Sequence, residues 1–334
     1  MERSSITLYC PLSTVHCPLS TVHCAGVCCT VSLGCGGSST TNNTYLDQAT
    51  TKTAATCSYT LCPSSSDICQ LRVDFESLVM ASASTTTFTK GNCVDDNLVI
   101  SSPGQPSPPM VCGTLTGQHM YLPASTSCHT VTANIGATDT STSRAWSIKV
   151  SQIECSNPLL PPSGCLQYNT GTSGYFSSFG WTGSEDGATA STVAHQNNQK
   201  YSVCFRREEG YCGMQYFTPI TGFAVGATAP VIASQNVFGD LACFDDYLRI
   251  PGIINSPTTL STSTAYTTVV GDKICGLGWT KYGANGATDA ASGTFVTFVK
   301  PFTVGVHFDG SDELATAVES QVGFSILYNQ KACA

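Results

Sequence analysis

Cysteine is the residue type that could do most chemistry in this chain, with 19 in 334 residues. Thiolates bind soft metals or pair as disulfides, and spacing separates the two uses. No repeated Cys-x-x-Cys pairs appear, which argues against zinc ribbons and fingers. Cys35, Cys57, Cys62, Cys69, Cys93, Cys112, Cys128 and Cys155 make eight, and Cys165, Cys204, Cys212, Cys243, Cys275 and Cys333 make six. Both sets are even, so every cysteine after residue 34 can pair within its own set. So many thiols fit an oxidising, extracellular compartment better than the cytosol. Two carboxylate pairs follow cysteines in one pattern, Cys-x-Asp-Asp-x-Leu-x-Ile, at residues 93–100 and 243–250. Gly-Asp-Ser-Gly-Gly, Ala-Ala-His-Cys, Gly-x-Ser-x-Gly and His-Glu-x-x-His segments and phosphate-cradling glycine loops are all lacking, and His119, His129, His195 and His307 stand singly. The sequence therefore predicts no catalytic centre.

These residues need strands to hold them. Residues 146–155 (Trp-Ser-Ile-Lys-Val-Ser-Gln-Ile-Glu-Cys) and 324–333 (Phe-Ser-Ile-Leu-Tyr-Asn-Gln-Lys-Ala-Cys) share Ser, Ile, Gln and Cys at identical offsets. Each alternates apolar and polar residues with period two, the pattern of a half-buried strand. Four landmarks recur in one order: a strand behind Cys69 and Cys212, the Cys-x-Asp-Asp motif, Cys112-Gly113 and Cys275-Gly276, and the closing strands. This is an internal duplication. Charged residues are only 11%, against about a quarter in an average domain. Ser, Thr and Gly replace them, which suits short strands and turns. Pro103 to Pro109 and residues 283–293 read as loops, and Val304, Val306 and Phe308 alternate before the Asp309-Gly310 turn. The expected fold is an all-β pair of disulfide-bonded sandwiches: 35–155, a linker at 156–164, and 165–334.

Residues 1–34 carry a tandem heptapeptide, Cys-Pro-Leu-Ser-Thr-Val-His at 10–16 and 17–23, and read as a signal or low-complexity segment. A Cys/His metal tract at His23, Cys24, Cys28 and Cys29 is the other reading of this region. The formal net charge of -8 is diffuse and no basic run appears, which argues against a nucleic-acid partner. No apolar stretch approaches the ~18 residues of a membrane span.

Cys243-Phe-Asp-Asp246-Tyr-Leu, Cys275-Gly276 and Gly323-Phe-Ser-Ile-Leu-Tyr328 resemble the CUB module, an extracellular jelly-roll β-sandwich. The first copy departs at its closing strand, with Trp146 in place of Phe and no preceding Gly. Segments 68–75, 116–121, 164–168 and 201–212 extend the resemblance to two-module CUB-like proteins frequent in arthropods. The resemblance implies Cys93–Cys112 and Cys243–Cys275, with Cys35–Cys57 and Cys165–Cys204 as early pairs. The duplication then suggests Cys69–Cys155 and Cys212–Cys333, and Cys62–Cys128 remains.

Many CUB modules bind calcium through three carboxylates, and the matching positions here are Asp96 and Asp246 with a later Asp, Asp309 or Asp312. The upstream Glu is missing. Phe238 stands in its place, with Asp240 nearest, and the first copy offers only Glu76, far upstream, and Asp139. The other reading of the Asp pairs is that they cap turns. Arg206-Arg207-Glu208-Glu209 reads as a solvated turn or a partner loop. Trp181 and Trp279 lie in Gly-rich loops and are candidates for an exposed binding surface, whereas Trp146 and Tyr247 lie on strands and are expected in the core. Asn42 begins an Asn-x-Thr sequon. The resulting expectation is a secreted, non-catalytic module binding an extracellular protein or glycan through loops at the sandwich ends. The alternatives are a regulatory arm of a trypsin-like protease system and a self-associating matrix protein.

Overall fold

A computed structural model of the chain describes residues 6–9, 30–86, 88–181, 194–218, 222–226, 237–238, 243–255, 272–276, 279, 294–310 and 322–333. The heptapeptide repeat, Cys10, Cys17, Cys24, Cys28 and Cys29, the loop 283–293, Asp240 and Asp312 lie outside the described residues. The named elements are all strands. No helix among the described residues is long and apolar enough to cross a membrane.

The chain divides into two compact units. Unit 1 comprises 1–80, 96–108 and 115–160, and unit 2 comprises 81–95, 109–114 and 161–334. Unit 1 carries β1 (Ile6–Tyr9), β2 (Thr30–Leu33), β3 (Ser38–Ser39), β4 (Thr44–Thr51), β5 (Ala55–Leu61), β6 (Ile68–Val79), β7 (Asn97–Ser101), β8 (His119–Pro123), β9 (His129–Ile135) and β10 (Arg144–Glu154). These form a six-stranded sheet, β1-β2-β4-β10-β6-β8, and a four-stranded sheet, β3-β5-β9-β7. The alternation seen in the sequence sets the layers. Trp146, Ile148 and Val150 of β10 are buried, and Ser147, Lys149 and Ser151 face outward. Trp146 Nε1 donates to Tyr59 Oη at 3.1 Å, and Tyr59 donates to Asp47 O at 3.1 Å. Tyr59 lies on β5 and Trp146 on β10, so this chain of bonds ties the two sheets while satisfying two buried polar tips.

Unit 2 carries β11 (Cys165–Asn169), β12 (Ser173–Ser177), β13 (Lys200–Phe205), β14 (Tyr211–Phe217), β15 (Phe223–Ala224), β16 (Val237–Phe238), β17 (Tyr247–Arg249), β18 (Ile254–Asn255), β19 (Lys273–Cys275), β20 (Thr294–Thr297), β21 (Thr303–His307) and β22 (Gly323–Ala332). One sheet runs β11-β13-β21-β17-β19-β16, and the other runs β12-β22-β14-β20-β18 with β15 also on β22. Both sheets feed a single core that includes Val203, Phe205, Leu248, Val304, Tyr216, Phe295 and Phe324. Face-to-face burial of alternate residues from two sheets makes this a β-sandwich.

Among the described residues, seven disulfides form, each within one unit. In unit 1 they join Cys35 to Cys57, Cys62 to Cys128, and Cys69 to Cys155. In unit 2 they join Cys93 to Cys112, Cys165 to Cys204, Cys212 to Cys333, and Cys243 to Cys275. Cys69 and Cys212 each open a strand whose partner strand ends at the bridged cysteine, so these two bridges close the paired ends of β6 with β10 and β14 with β22.

Candidate binding surfaces and the buried aspartates

The two copies of Cys-x-Asp-Asp-x-Leu-x-Ile fold alike. In both, the residue after Cys is exposed, the second Asp, the Leu and the Ile are buried, and the residue before the Ile is exposed. The second Asp sits just before a strand, β7 or β17, that pairs antiparallel with β9 or β21. Just past the end of that partner strand, a backbone N–H has no ladder acceptor. The carboxylate supplies one: Gly136 N donates to Asp96 Oδ1 at 3.0 Å, and Asp309 N donates to Asp246 Oδ1 at 2.7 Å. The aspartate thus finishes the ladder where the strand stops.

A buried carboxylate needs a countercharge. Asp96 finds Arg144, whose Nε donates at 2.7 Å and Nη2 at 3.0 Å, with both side chains fully buried. Arg144 Nη1 donates to the Asp139 and Thr142 carbonyls at 2.5 and 3.1 Å. Asp246 faces His195, with Nε2 3.2 Å from Oδ2 and the imidazole fully buried. The other ring nitrogen, Nδ1, lies 3.5 Å from the Gln196 carbonyl oxygen. His195 also packs on Phe308, ring centroids 4.3 Å apart. Gly226, at φ +51°, lets the chain pass so close to Asp246 that a Cβ there would lie 2.7 Å from the Asp246 carbonyl oxygen.

This arrangement bears on calcium, which needs six to eight oxygen ligands. Asp96 gives its oxygens to a guanidinium and a backbone N–H, so the first copy does not fit the ion. In the second copy the structure brings Asp246 to the backbone of Asp309 but sets an imidazole against the remaining oxygen. Asp240 and Asp312, the other two candidates, lie outside the described residues. Among the described residues, no group of three or more His, Cys, Asp or Glu is placed to hold a metal.

Trp279 does not reach a surface. It is fully buried, packed edge-on against Phe223 and Phe295 at 5.2 and 4.9 Å. Its place in a Gly-rich stretch suggested exposure, but a large indole is worth more in a core than in water. Trp181 is half-buried, and its backbone N–H donates to Ser178 O at 3.2 Å. Trp146 is buried, and Tyr247 is half-buried, stacked on His307 with Lys273 over its ring. Asn42 is exposed, and its Oδ1 accepts from Gln152 N and Asn43 N. Arg206 and Glu208 pair at 2.9 Å, and Glu208 also accepts from Gly171 N, so the charge cluster pins a turn. The Arg206 bond, then the Gly171 N–H, hold the Glu208 carboxyl below its usual range.

The sequence reading missed a set of exposed apolar side chains and a polar cleft. Val94 and Phe244, which follow the motif cysteines, are 60% and 64% exposed. Phe88 is 80% exposed at φ +71°, a left-handed conformation that is rare for a bulky residue. The loop that carries it is pinned at its base by Gly91 N to Ser84 O and Ser84 N to Asn92 O. The polar cleft, of about 480 Å³, lies on the outer face of the six-stranded sheet of unit 1, lined by Arg72, Asp74, Glu76, Gln118, Lys149 and Ser151. Alternating polar positions on β6 and β10 were the signal for it. They were legible as outward-facing, but the sequence does not show that β6 and β10 are neighbours in this register.

A family model described as the animal CUB domain matches residues 162–331. Among solved structures, the CUB1-EGF-CUB2 domain of human MASP-1/3 is 12% identical, covering 85% of this chain and 96% of that one at a TM-score of 0.24. The full extracellular region of zebrafish Gpr126/Adgrg6 is also 12% identical, covering 90% of this chain and 37% of that one at a TM-score of 0.28. No match was found among curated protein sequences.

Proposed function

This chain belongs to the animal CUB domain family, and from that premise we propose that it is a secreted tandem of CUB-like modules, 35–155 and 165–334, that captures an extracellular protein through loops at the sandwich ends. The animal CUB domain is a non-catalytic protein-interaction module, typically extracellular and disulfide-rich. The observation that carries the loop assignment is the matched exposure of Val94 and Phe244. Each follows a disulfide-bonded cysteine, and each is followed two residues later by a buried aspartate. Apolar side chains on a rigid frame lose little conformational entropy on binding, and large apolar residues exposed at matching places are suited to serve as contact anchors. Phe88, on its own pinned loop, adds a third. Asn42 would carry the N-linked glycan of the secreted form.

The test is affinity capture from extracellular fluid with the wild-type chain beside Val94→Asp, Phe244→Asp and Phe88→Asp variants of unchanged melting temperature. A protein retained by the wild type and reduced at least about tenfold by a loop variant supports the proposal. An identical set retained by all four chains overturns it. Light scattering of the purified chain separates the self-associating alternative, which would show concentration-dependent oligomers that the same variants dissolve.

A further inference from the structure

We propose that the cleft on the outer face of the six-stranded sheet of unit 1 is a binding site for a neutral, polyhydroxylated ligand, an oligosaccharide. The site is separate from the loop surface assigned above.

The register builds it. Tyr45, Lys149, Asp74 and His119 stand side by side across β4, β10, β6 and β8. Ser151, Arg72 and Tyr121 form the next row across β10, β6 and β8. Strand spacing places donors and acceptors about 4.8 Å apart across the rows. The frame is preset. Arg72 Nε donates to both Asp74 oxygens at 2.8 and 2.9 Å, and its Nη1 donates to Tyr121 Oη at 2.8 Å. The guanidinium lies over the Tyr121 ring at 5.3 Å, and His119 meets the same ring edge-on at 5.5 Å. Glu76 is within reach of Tyr45 Oη at 3.5 Å.

Three properties select the ligand class. The lining carries two cations, Arg72 and Lys149, and two carboxylates, Asp74 and Glu76, so the charges cancel and neither a polyanion nor a polycation is favoured. It presents no exposed apolar anchor, since Phe75 in the same strand is buried, whereas protein and peptide partners are usually held by apolar or aromatic anchors. The cleft lies over the face of the interior strands β6 and β10, where backbone groups are already paired, so its ligand is met by side chains and not by strand addition. What remains is a row of hydroxyl, carboxylate, amide and ammonium groups, the complement of a chain of ring hydroxyls. The volume of about 480 Å³ falls within the ~300–1,000 Å³ of small-ligand sites.

Calorimetric titration of the full oxidised chain with cellohexaose, chitohexaose, maltohexaose and mannohexaose tests this, with a heparin hexasaccharide and a mixed tripeptide pool as comparators. The expected result is saturable binding of at least one neutral sugar, with a Kd below about 1 mM that changes less than about twofold from 50 to 300 mM salt. Lys149→Ala and Gln118→Ala, both outward-facing, should each weaken it about tenfold or more, with the melting temperature unchanged. Phe244→Asp should leave it unaltered, which separates this site from the loop surface. Absence of heat with all four sugars overturns the proposal. So does binding indifferent to both cleft variants, or a preference for heparin or peptide.

Discussion

Asp96 and Arg144 form an ion pair from which both side chains are wholly shielded from water, and Asp96 also receives the Gly136 N–H at the end of β9. Both guanidinium donors that face Asp96 are used, and the third nitrogen serves two carbonyls. Removing one partner strands the other charge in a medium that solvates it poorly. Arg144→Met should therefore cost about 3–5 kcal/mol, read by urea unfolding of unit 1. Arg144→Met with Asp96→Leu should recover much of that loss, because the cost lies in the unpaired charge. Equal losses in the single and double variants would contradict the account.

In unit 2 the equivalent aspartate faces His195 and the Asp309 N–H. The melting temperature should be the same, within about 1 °C, in calcium and in EDTA, because the Asp246 oxygens are already set against the Asp309 N–H and the His195 imidazole, and only an ion that bound the folded state would raise it. Asp246→Ala should lower the melting temperature equally in both buffers. A rise in calcium that Asp246→Ala abolishes would assign the carboxylate to a metal and displace the ladder-cap account.

His129 is fully buried, with Nδ1 3.3 Å from Ser102 Oγ, and burial pushes its pKa down. His307 moves the same way, chiefly by burial and then by Lys200. The unfolded chain titrates near 6.5. Between that value and the lower folded value, the unfolded state binds more protons, so stability rises with pH there. Stability should be fully present above about pH 6.5 and fall as the pH drops through the depressed folded values. His129→Gln should flatten that slope in denaturant titrations between pH 7 and 5. An unchanged slope would mean that the imidazole takes up its proton in the folded state as easily as in water.

Among the described residues Trp279 Nε1 finds no hydrogen-bond acceptor, and its contacts are packing against Phe223 and Phe295. Trp279→Ala should cost about 3–5 kcal/mol, and Trp279→Phe much less, since no polar bond is lost. Trp181→Ala, at a half-buried position, should cost about 1 kcal/mol or less. If the two alanine variants weaken partner capture while stability holds, the indoles serve a surface after all.

How far the fold was legible depends on period. Trp146, Ile148 and Val150 announce a half-buried strand because alternation is a local property. The duplication was visible for the same reason, as Asp96 and Asp246 stand at equal offsets from their cysteines. What could not be read was long-range. The sequence separates Asp96 from Arg144 by 48 residues and His195 from Asp246 by 51, and only the pairing of distant strands makes them partners. The cleft depends likewise on the register of Lys149 with Asp74. Trp279 was misjudged because loop composition speaks to the backbone and says little about where a large side chain is buried.

Cys212 and Cys333 close a 121-residue span at the paired ends of β14 and β22, whereas Cys243 and Cys275 close 32 residues beside the Asp246 motif. If bridges act by restricting the unfolded chain, the penalty for removal grows with the logarithm of loop length. The chain-entropy relation gives about 4.9 kcal/mol for the longer loop and about 3.7 kcal/mol for the shorter. Paired Cys→Ser variants should therefore lose stability in that order, by a margin of about 1 kcal/mol in denaturant unfolding of unit 2. The reverse order would locate the work of the shorter bridge in the folded state. Its role would then be to hold the loop that buries Asp246 against His195 and leaves Phe244 in water, and the loss should fall together with the binding that Phe244→Asp removes.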